Sequence, residues 1–280
     1  MNDHQAVLLS MLKDVDALCR ETGVTYMLFS GTALGAVRHG GFIPWDDDAD
    51  IVLLRKDYER FLDEAEANLD PKRYFVQREF GPHWPMQFSK IRLNGTACME
   101  KFRPKDRQIH QGVYIDVFPC DDLSDASIVR AIQFIAARIV VAKALDKRGY
   151  ETDSPIKKLA MIASRLVPGA PLRRICTAER PGSRSVHTFF GAGSKYGKNV
   201  FPREWFEKTV EMDFEDGRFP VSAHYKELLT TLYGDYMTPP PPEERLCKEH
   251  TFLVDLHRPY TDYVDEQTEM SFDVLSRSIR

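Results

Sequence analysis

Residues 31–51 read GTALGAVRHGGFIPWDDDADI, and no other stretch limits the fold of this chain as tightly. Four carboxylates, Asp46, Asp47, Asp48 and Asp50, fall within five positions, and the run passes directly into Ile51, Val52, Leu53 and Leu54. Crowded carboxylates repel and raise one another's pKa unless something compensates. A strand alternates its faces, so Asp48 and Asp50 point one way while Ala49 and Ile51 point into a core. Two carboxylates on one face make a hard oxygen site suited to Mg²⁺ or Mn²⁺. A solvated acidic loop is the commoner arrangement, but it fits poorly where the acids enter an apolar strand and an unpaired charge is costly. Asp47 is expected to face away from Asp48 or to sit in the turn after Pro44. Asp46 is a secondary candidate.

The start of the same stretch adds a second piece. Ser30-Gly31-Thr32 follows a short strand and opens a helix, so backbone N–H groups and two hydroxyls could cradle a phosphate. Such turns are frequent and this one gains weight only from the acidic strand behind it. A phosphate cradle beside a metal site is the minimal equipment for phosphoryl transfer. Asp116 is the third piece, one acid within the strand pattern Val113-Tyr114-Ile115-Asp116-Val117-Phe118. Placed beside the acidic strand it completes a three-carboxylate cluster and could help deprotonate an acceptor hydroxyl.

The organisation around these residues is α+β. Apolar residues from Val7 to Cys19 recur at helical spacing, and Gly23 is a plausible stop. Strand patterns follow at 24–29, 48–54, 74–78, 87–93 and 112–118, with a short helix at 33–37 and a longer one at 55–68 whose inner side is Tyr58, Phe61, Leu62 and Ala65. Asn94-Gly95 is a hairpin signal. Residues 124–180 are helical in pattern, broken at Pro155, Pro168 and Pro171. Glu215-Asp216-Gly217-Arg218 is a turn between 210–214 and 219–221, and 225–232 reads as a short helix. The expected division is a catalytic core over 1–122, a helical insertion over 123–200, and a segment over 201–280 packing back on the core.

Composition removes several functions. The net charge of -4 and the lack of basic stripes with interleaved aromatics argue against nucleic acid as a partner. Five scattered cysteines without a C-x-x-C pair suit a reduced compartment. No targeting segment is visible, so a cytoplasmic location is expected. Residues 128–145 are the most apolar, but Arg130, Arg138 and Lys143 interrupt them. A packed amphipathic helix is the first reading there, and peripheral contact with the inner membrane face the second.

The stretch 31–51, with its GT…R-x-G…IPWDDDxD pattern, resembles the LicD family, which includes bacterial phosphocholine transferases and more distantly the fukutin-related proteins. FSKIR at 88–92 with Gly95-Thr96, GVYIDVFP at 112–119 and LYGDYMTPPPP at 232–242 are further points of likeness. The resemblance implies a nucleotidyltransferase-fold core, a small mixed sheet flanked by helices, with a mainly helical C-terminal part. It implies transfer of a phospho-alcohol such as phosphocholine, from CDP-choline, to a sugar hydroxyl of a glycan or lipid-linked glycan. Carried over by motif, Asp48, Asp50 and Asp116 are catalytic and hold Mg²⁺ or Mn²⁺, and Ser30, Gly31 and Thr32 bind the substrate. Arg38 and Lys90 are the expected cationic helpers, Arg38 because a guanidinium fork fits phosphate. Trp45, Trp84 and Phe88 are candidates for a cage around a choline headgroup, although ordinary packing competes for each. His39, His83 and His110 are better read as structural. Two alternatives stand beside phosphocholine transfer: the same fold moving a nucleotide or another phospho-alcohol (ethanolamine, glycerol or ribitol phosphate), and a silent scaffold.

Overall fold

The computed structural model describes residues 1–100, 108–188, 196, 199–245 and 251–266. In chain order its strands are β1 (Met27–Leu28), β2 (Asp50–Leu54), β3 (Tyr74–Gln77), β4 (Ser89–Leu93), β5 (Ala97–Glu100), β6 (Tyr114–Leu123), β7 (Ser185–His187), β8 (Val200–Pro202), β9 (Thr209–Phe214), β10 (Gly217–Ser222) and β11 (Thr251–Asp255). The helices are α1 (Asp3–Thr22), α2 (Ser30–His39), α3 (Arg55–Asn68), α4 (Ser127–Arg148), α5 (Pro155–Ser164), α6 (Gly169–Thr177), α7 (Tyr225–Tyr233), α8 (Pro242–Arg245) and α9 (Thr261–Glu266).

The main sheet runs β1-β2-β6-β4-β3. Strand β2 is parallel to β6, and the other pairs are antiparallel, so the sheet is mixed. Strand β6 is long enough to serve two neighbourhoods. Its earlier residues lie between β2 and β4, and Asp121, Asp122 and Leu123 pair with β7, which carries β8. The expected boundary at residue 122 therefore falls inside β6.

Period-two alternation sorts the sheet into two faces. Ile51, Leu53, Ile91, Ile115 and Val117 share one core with Leu8, Leu12 and Val15 of α1 and with Tyr58, Phe61 and Leu62 of α3. Val52 and Phe118 join Phe29, Trp84, Phe88 and Phe206 in a second core. Helix α1 starts on a capping box, Asn2 with Gln5, and ends on Gly23 in the left-handed region at φ 68°.

Helices α4, α5 and α6 pack together, and the chain then returns to strands, with β9 and β10 forming the hairpin read from the sequence. One hairpin expected from the sequence does not form. Gly95 takes positive φ, 73°, as its turn requires, but β5 pairs with β11. The reason is that β4 already has β3 on one edge and β6 on the other.

Candidate metal and phosphate site

Three neighbouring strands place one charged row. Asp50 of β2 lies in register with Asp116 of β6, and Asp116 lies opposite Lys90 of β4. Asp48 precedes β2 and joins them from the incoming loop: one carboxylate oxygen each from Asp48, Asp50 and Asp116 lie within 4.8 Å of one another. The two acids read from strand alternation and the third read from a separate motif thus converge. Asp50 and Asp116 are buried, each 7% exposed.

Burial pushes the Asp50 carboxyl well above the usual carboxylate range, and Asp48, Asp116 and Asp46 push it further, against the pull of Lys90. Such a concentration of hard oxygen donors fits a divalent cation, Mg²⁺ or Mn²⁺, which would favour the ionised forms. Asp46, Asp47 and Asp48 also bring carboxylate oxygens within 4.8 Å. Asp47, however, is turned to the C-terminal part, where its Oδ2 accepts from the Thr251 N–H at 3.0 Å and hydroxyl at 2.7 Å.

The acidic loop is held from below. Asp46 N–H donates to the Ile43 carbonyl at 2.9 Å, closing a turn. The buried Gln5 amide donates to the Ile43 and Asp46 carbonyls, 3.1 Å each. Thr32 is placed differently from a phosphate ligand: its hydroxyl is buried and accepts from the Asp50 N–H at 2.8 Å, fixing where β2 begins. Helix α2 begins at Ser30 after Phe29, without a side-chain cap. Ser30 sits at φ 48°, an uncommon conformation for a residue with a Cβ, and its hydroxyl meets that of Tyr233 at 2.8 Å. At Gly31 a Cβ would come to 2.7 Å from Asp46 Oδ2, so glycine is what allows this close approach.

Beside the carboxylates is a cleft of about 430 Å³. Ser30, Gly31 and Arg38 line it from α2, and Trp45, Asp46, Asp48 and Asp50 from the acidic stretch. Tyr233, Asp235 and Tyr236 complete it. Arg38 Nη1 donates to the Tyr236 carbonyl at 2.7 Å, holding the guanidinium at the cleft. Desolvation raises the pKa of the Tyr233 phenol, opposed by the Ser30 hydroxyl and reinforced by Asp50, Asp46 and Asp48. Sequence reasoning misses the two tyrosines and Asp235 as site residues. Their signal is present in LYGDYMTPPPP, a segment nearly two hundred residues from the acidic run in the chain.

Lys90 is placed otherwise than expected. It is 1% exposed and does not line the cleft; its Nζ pairs with Asp116 Oδ1 at 2.9 Å. The Tyr114, Trp84 and Phe88 rings surround that ammonium, with centroids at 3.2, 5.3 and 5.6 Å. Trp84 and Phe88 therefore enclose the protein's own lysine instead of a ligand headgroup, because β4 turns Lys90 inward onto β6. Trp45 alone of the three aromatic candidates lines the cleft. His110 is structural: Nε2 meets Asn94 Oδ1 at 2.9 Å, Nδ1 accepts from the Gly112 N–H at 3.1 Å, and burial lowers its pKa to about 3.

Comparison with known proteins shows what this chain is similar to. Residues 23–130 match the family model for the LicD/FKTN/FKRP nucleotidyltransferase domain. The chain is 28% identical over 260 residues to the lipopolysaccharide cholinephosphotransferase LicD of Haemophilus influenzae, covering 88% of this chain and 94% of that protein. It is 44% identical over 123 residues to an uncharacterised protein of Rickettsia typhi, covering 41% of this chain and 34% of that protein. The matched residues 23–130 contain Asp48, Asp50, Asp116 and the Ser30-Gly31-Thr32 segment.

Proposed function

We propose a function on the premise that the chain belongs to the LicD family: it is a phosphotransferase that moves a phospho-alcohol, phosphocholine foremost, from a CDP-linked donor to a sugar hydroxyl. The acceptor is a cell-surface glycan or its lipid-linked precursor, in keeping with the lipopolysaccharide activity of the Haemophilus relative. The observation that carries the reading is the convergence of Asp48, Asp50 and Asp116 beside a cleft with an arginine and three aromatic residues. A silent scaffold has no need of three converging carboxylates, two of them buried at a cost.

A divalent cation held by Asp48, Asp50 and Asp116 would supply charge neutralisation at the diphosphate and the transferred phosphoryl group. Arg38 binds phosphate oxygens through the guanidinium N–H groups not given to Tyr236. Trp45, Tyr233 and Tyr236 offer ring faces to a quaternary ammonium, and Asp235 offers it a counter-charge. The acceptor oxygen attacks the phosphorus that bears choline, the bond from that phosphorus to the bridging oxygen breaks, and CMP departs. Asp116 orients the acceptor hydroxyl and takes its proton, while Lys90 holds the Asp116 carboxylate in place. A cytidine nucleotide donor goes with a reaction on the cytoplasmic side. No helix among the described residues is long and apolar enough to cross a membrane.

The test is CMP release from CDP-choline with Mg²⁺ and a panel of sugar acceptors, with and without EDTA. We expect release that stops with EDTA and drops at least about a hundredfold in Asp48→Ala and Asp50→Ala, proteins that stay folded. Release from CDP-ethanolamine, CDP-glycerol or CDP-ribitol alone would reassign the donor. Undiminished turnover in either variant would overturn the site.

A further inference from the structure

Helices α4 and α5 turn apolar side chains outward. On α4, Ile128, Ile132 and Ile135 follow a helical stripe and are 50–79% exposed, while Gln133, Ala136, Ala137 and Val140 face inward. Beside it, Ile156, Leu159, Ile162 and Leu166 are 55–88% exposed, while Met161 and Ser164 are buried. At the helical repeat the outward apolar residues of α5 and its C-terminal extension cover an arc of roughly 120°, opposite Met161. Every strongly exposed isoleucine and leucine among the described residues lies on these two segments. The arrangement is fixed and is not a frayed end: Lys143 Nζ donates to the Ser164 and Val167 carbonyls at 2.7 and 2.8 Å, and Arg165 pairs with Asp146 at 2.7 Å.

The segment that carries these helices is also basic in sequence. Residues 127–177 hold ten Lys and Arg against three Asp and Glu, a local charge of +7 in a chain whose net charge is -4. Residues 155–177 hold Lys157, Lys158, Arg165, Arg173 and Arg174 and no acid. Exposed apolar residues rimmed by cations on a short helix are the composition of an interfacial helix, lying in the plane of a bilayer with its apolar side among the acyl chains. A second copy of the chain would set the same positive face against itself, which disfavours self-association.

We propose that the outward apolar side of α5 and its C-terminal extension docks the protein on an anionic lipid surface as a monotopic contact. Lipid binding at this face is independent of the chemistry at the carboxylates, so either can fail without the other.

The experiment is co-sedimentation of the full chain with vesicles of phosphatidylcholine alone or with phosphatidylglycerol added. We expect binding at least about tenfold stronger on the anionic vesicles, weakened by high salt. Leu159→Glu combined with Leu166→Glu should lose it, and Lys157→Glu with Lys158→Glu should remove the preference for anionic lipid. All four positions are exposed, so far-UV circular dichroism should stay unchanged. As a second reading, Leu159→Trp should show blue-shifted emission on adding anionic vesicles. The proposal is overturned if wild type stays in the supernatant with both vesicles and the emission of the Leu159→Trp variant does not move. It is equally overturned if the Leu159→Glu and Leu166→Glu double variant still binds, if the Lys157→Glu and Lys158→Glu double variant keeps the preference for anionic vesicles, or if sedimentation shows a dimer that the leucine variant breaks apart.

Discussion

Asp50 carries an electrostatic cost: it is buried at the start of β2, and burial, then Asp48, Asp116 and Asp46, raise its pKa. Its backbone is well satisfied, the N–H donating to Thr32 and the carbonyl accepting from Phe29 at 2.9 Å, so the cost lies in the carboxylate. A group that destabilises the empty protein and serves the loaded one leaves a measurable signature. Asp50→Asn keeps the shape and removes the charge, and without metal it should be more stable than wild type by about 1–3 kcal/mol. Millimolar Mg²⁺ should raise the melting temperature of wild type, because only the folded state offers the site, and leave Asp50→Asn nearly unmoved. Thermal melts of both proteins in EDTA and in MgCl₂ check this. A destabilised Asn variant, or equal Mg²⁺ shifts in both, would contradict the assignment of Asp50 as a ligand.

Among the elements, β4 is where the sequence is least transparent and the structure most informative. Asp48 and Asp50, paired in the sequence by strand alternation, do come together, although Asp48 lies in the loop before β2, and the 3.6-residue repeat correctly finds the inner faces of α1 and α3. The two outer pieces of β2's surroundings are harder to read. Thr32 is a hydroxyl in a plausible phosphate turn, yet it is spent on a backbone N–H eighteen residues away. Lys90 reads as a cationic helper at the substrate because nothing in FSKIR says that both of its neighbouring strands will enclose it. Pairing partners are a tertiary fact, and so is the hairpin at Gly95 that β3 and β6 pre-empt. The placement of Lys90 has an energetic consequence. Lys90→Met removes the cation paired with Asp116 while fitting the ring-lined space, and should cost about 3–5 kcal/mol in metal-free protein. A divalent ion should return part of that loss, since it replaces the missing positive charge at the same carboxylates. Urea unfolding in EDTA and in MgCl₂ measures both quantities; a loss below about 1 kcal/mol, or one that Mg²⁺ does not lessen, would mean Lys90 does not balance the acidic cluster.

At the scale of the whole molecule, the sheet and the helical part are joined at a buried polar junction on β6. Arg55, at the start of α3, holds Asp121 through Nε at 2.6 Å and Nη2 at 2.9 Å, and donates to Glu79 at 2.5 Å. His187 of β7 lies in register with Asp121, and Asp122 accepts from the Arg180 N–H at 2.8 Å and pairs with Arg203. Burial lowers the His187 pKa to about 4, against the opposing pull of Asp121. Burial raises Glu79 to about 7, with Arg55 opposing and Asp121 adding. The two groups respond to acid in opposite senses. Unfolded His187 takes a proton near pH 6.5 that the folded protein refuses until about pH 4, so its contribution is present above 6.5 and is lost as the pH falls towards 4. Folded Glu79 keeps a proton up to about pH 7 that the unfolded chain releases near 4.5, so its contribution is present at low pH and is lost as the pH rises through 7. Between pH 7 and pH 5 each amounts to about 2 kcal/mol, with opposite sign. Other titrating groups, His110 among them, are common to wild type and variants and cancel in the difference. His187→Gln should therefore gain about 2 kcal/mol relative to wild type on going from pH 7 to pH 5, and Glu79→Gln should lose about as much. Denaturant midpoints of the three proteins at the two pH values decide it. Parallel shifts in all three would mean that the junction titrates as one unit, with Arg55 holding Glu79 ionised across the whole range.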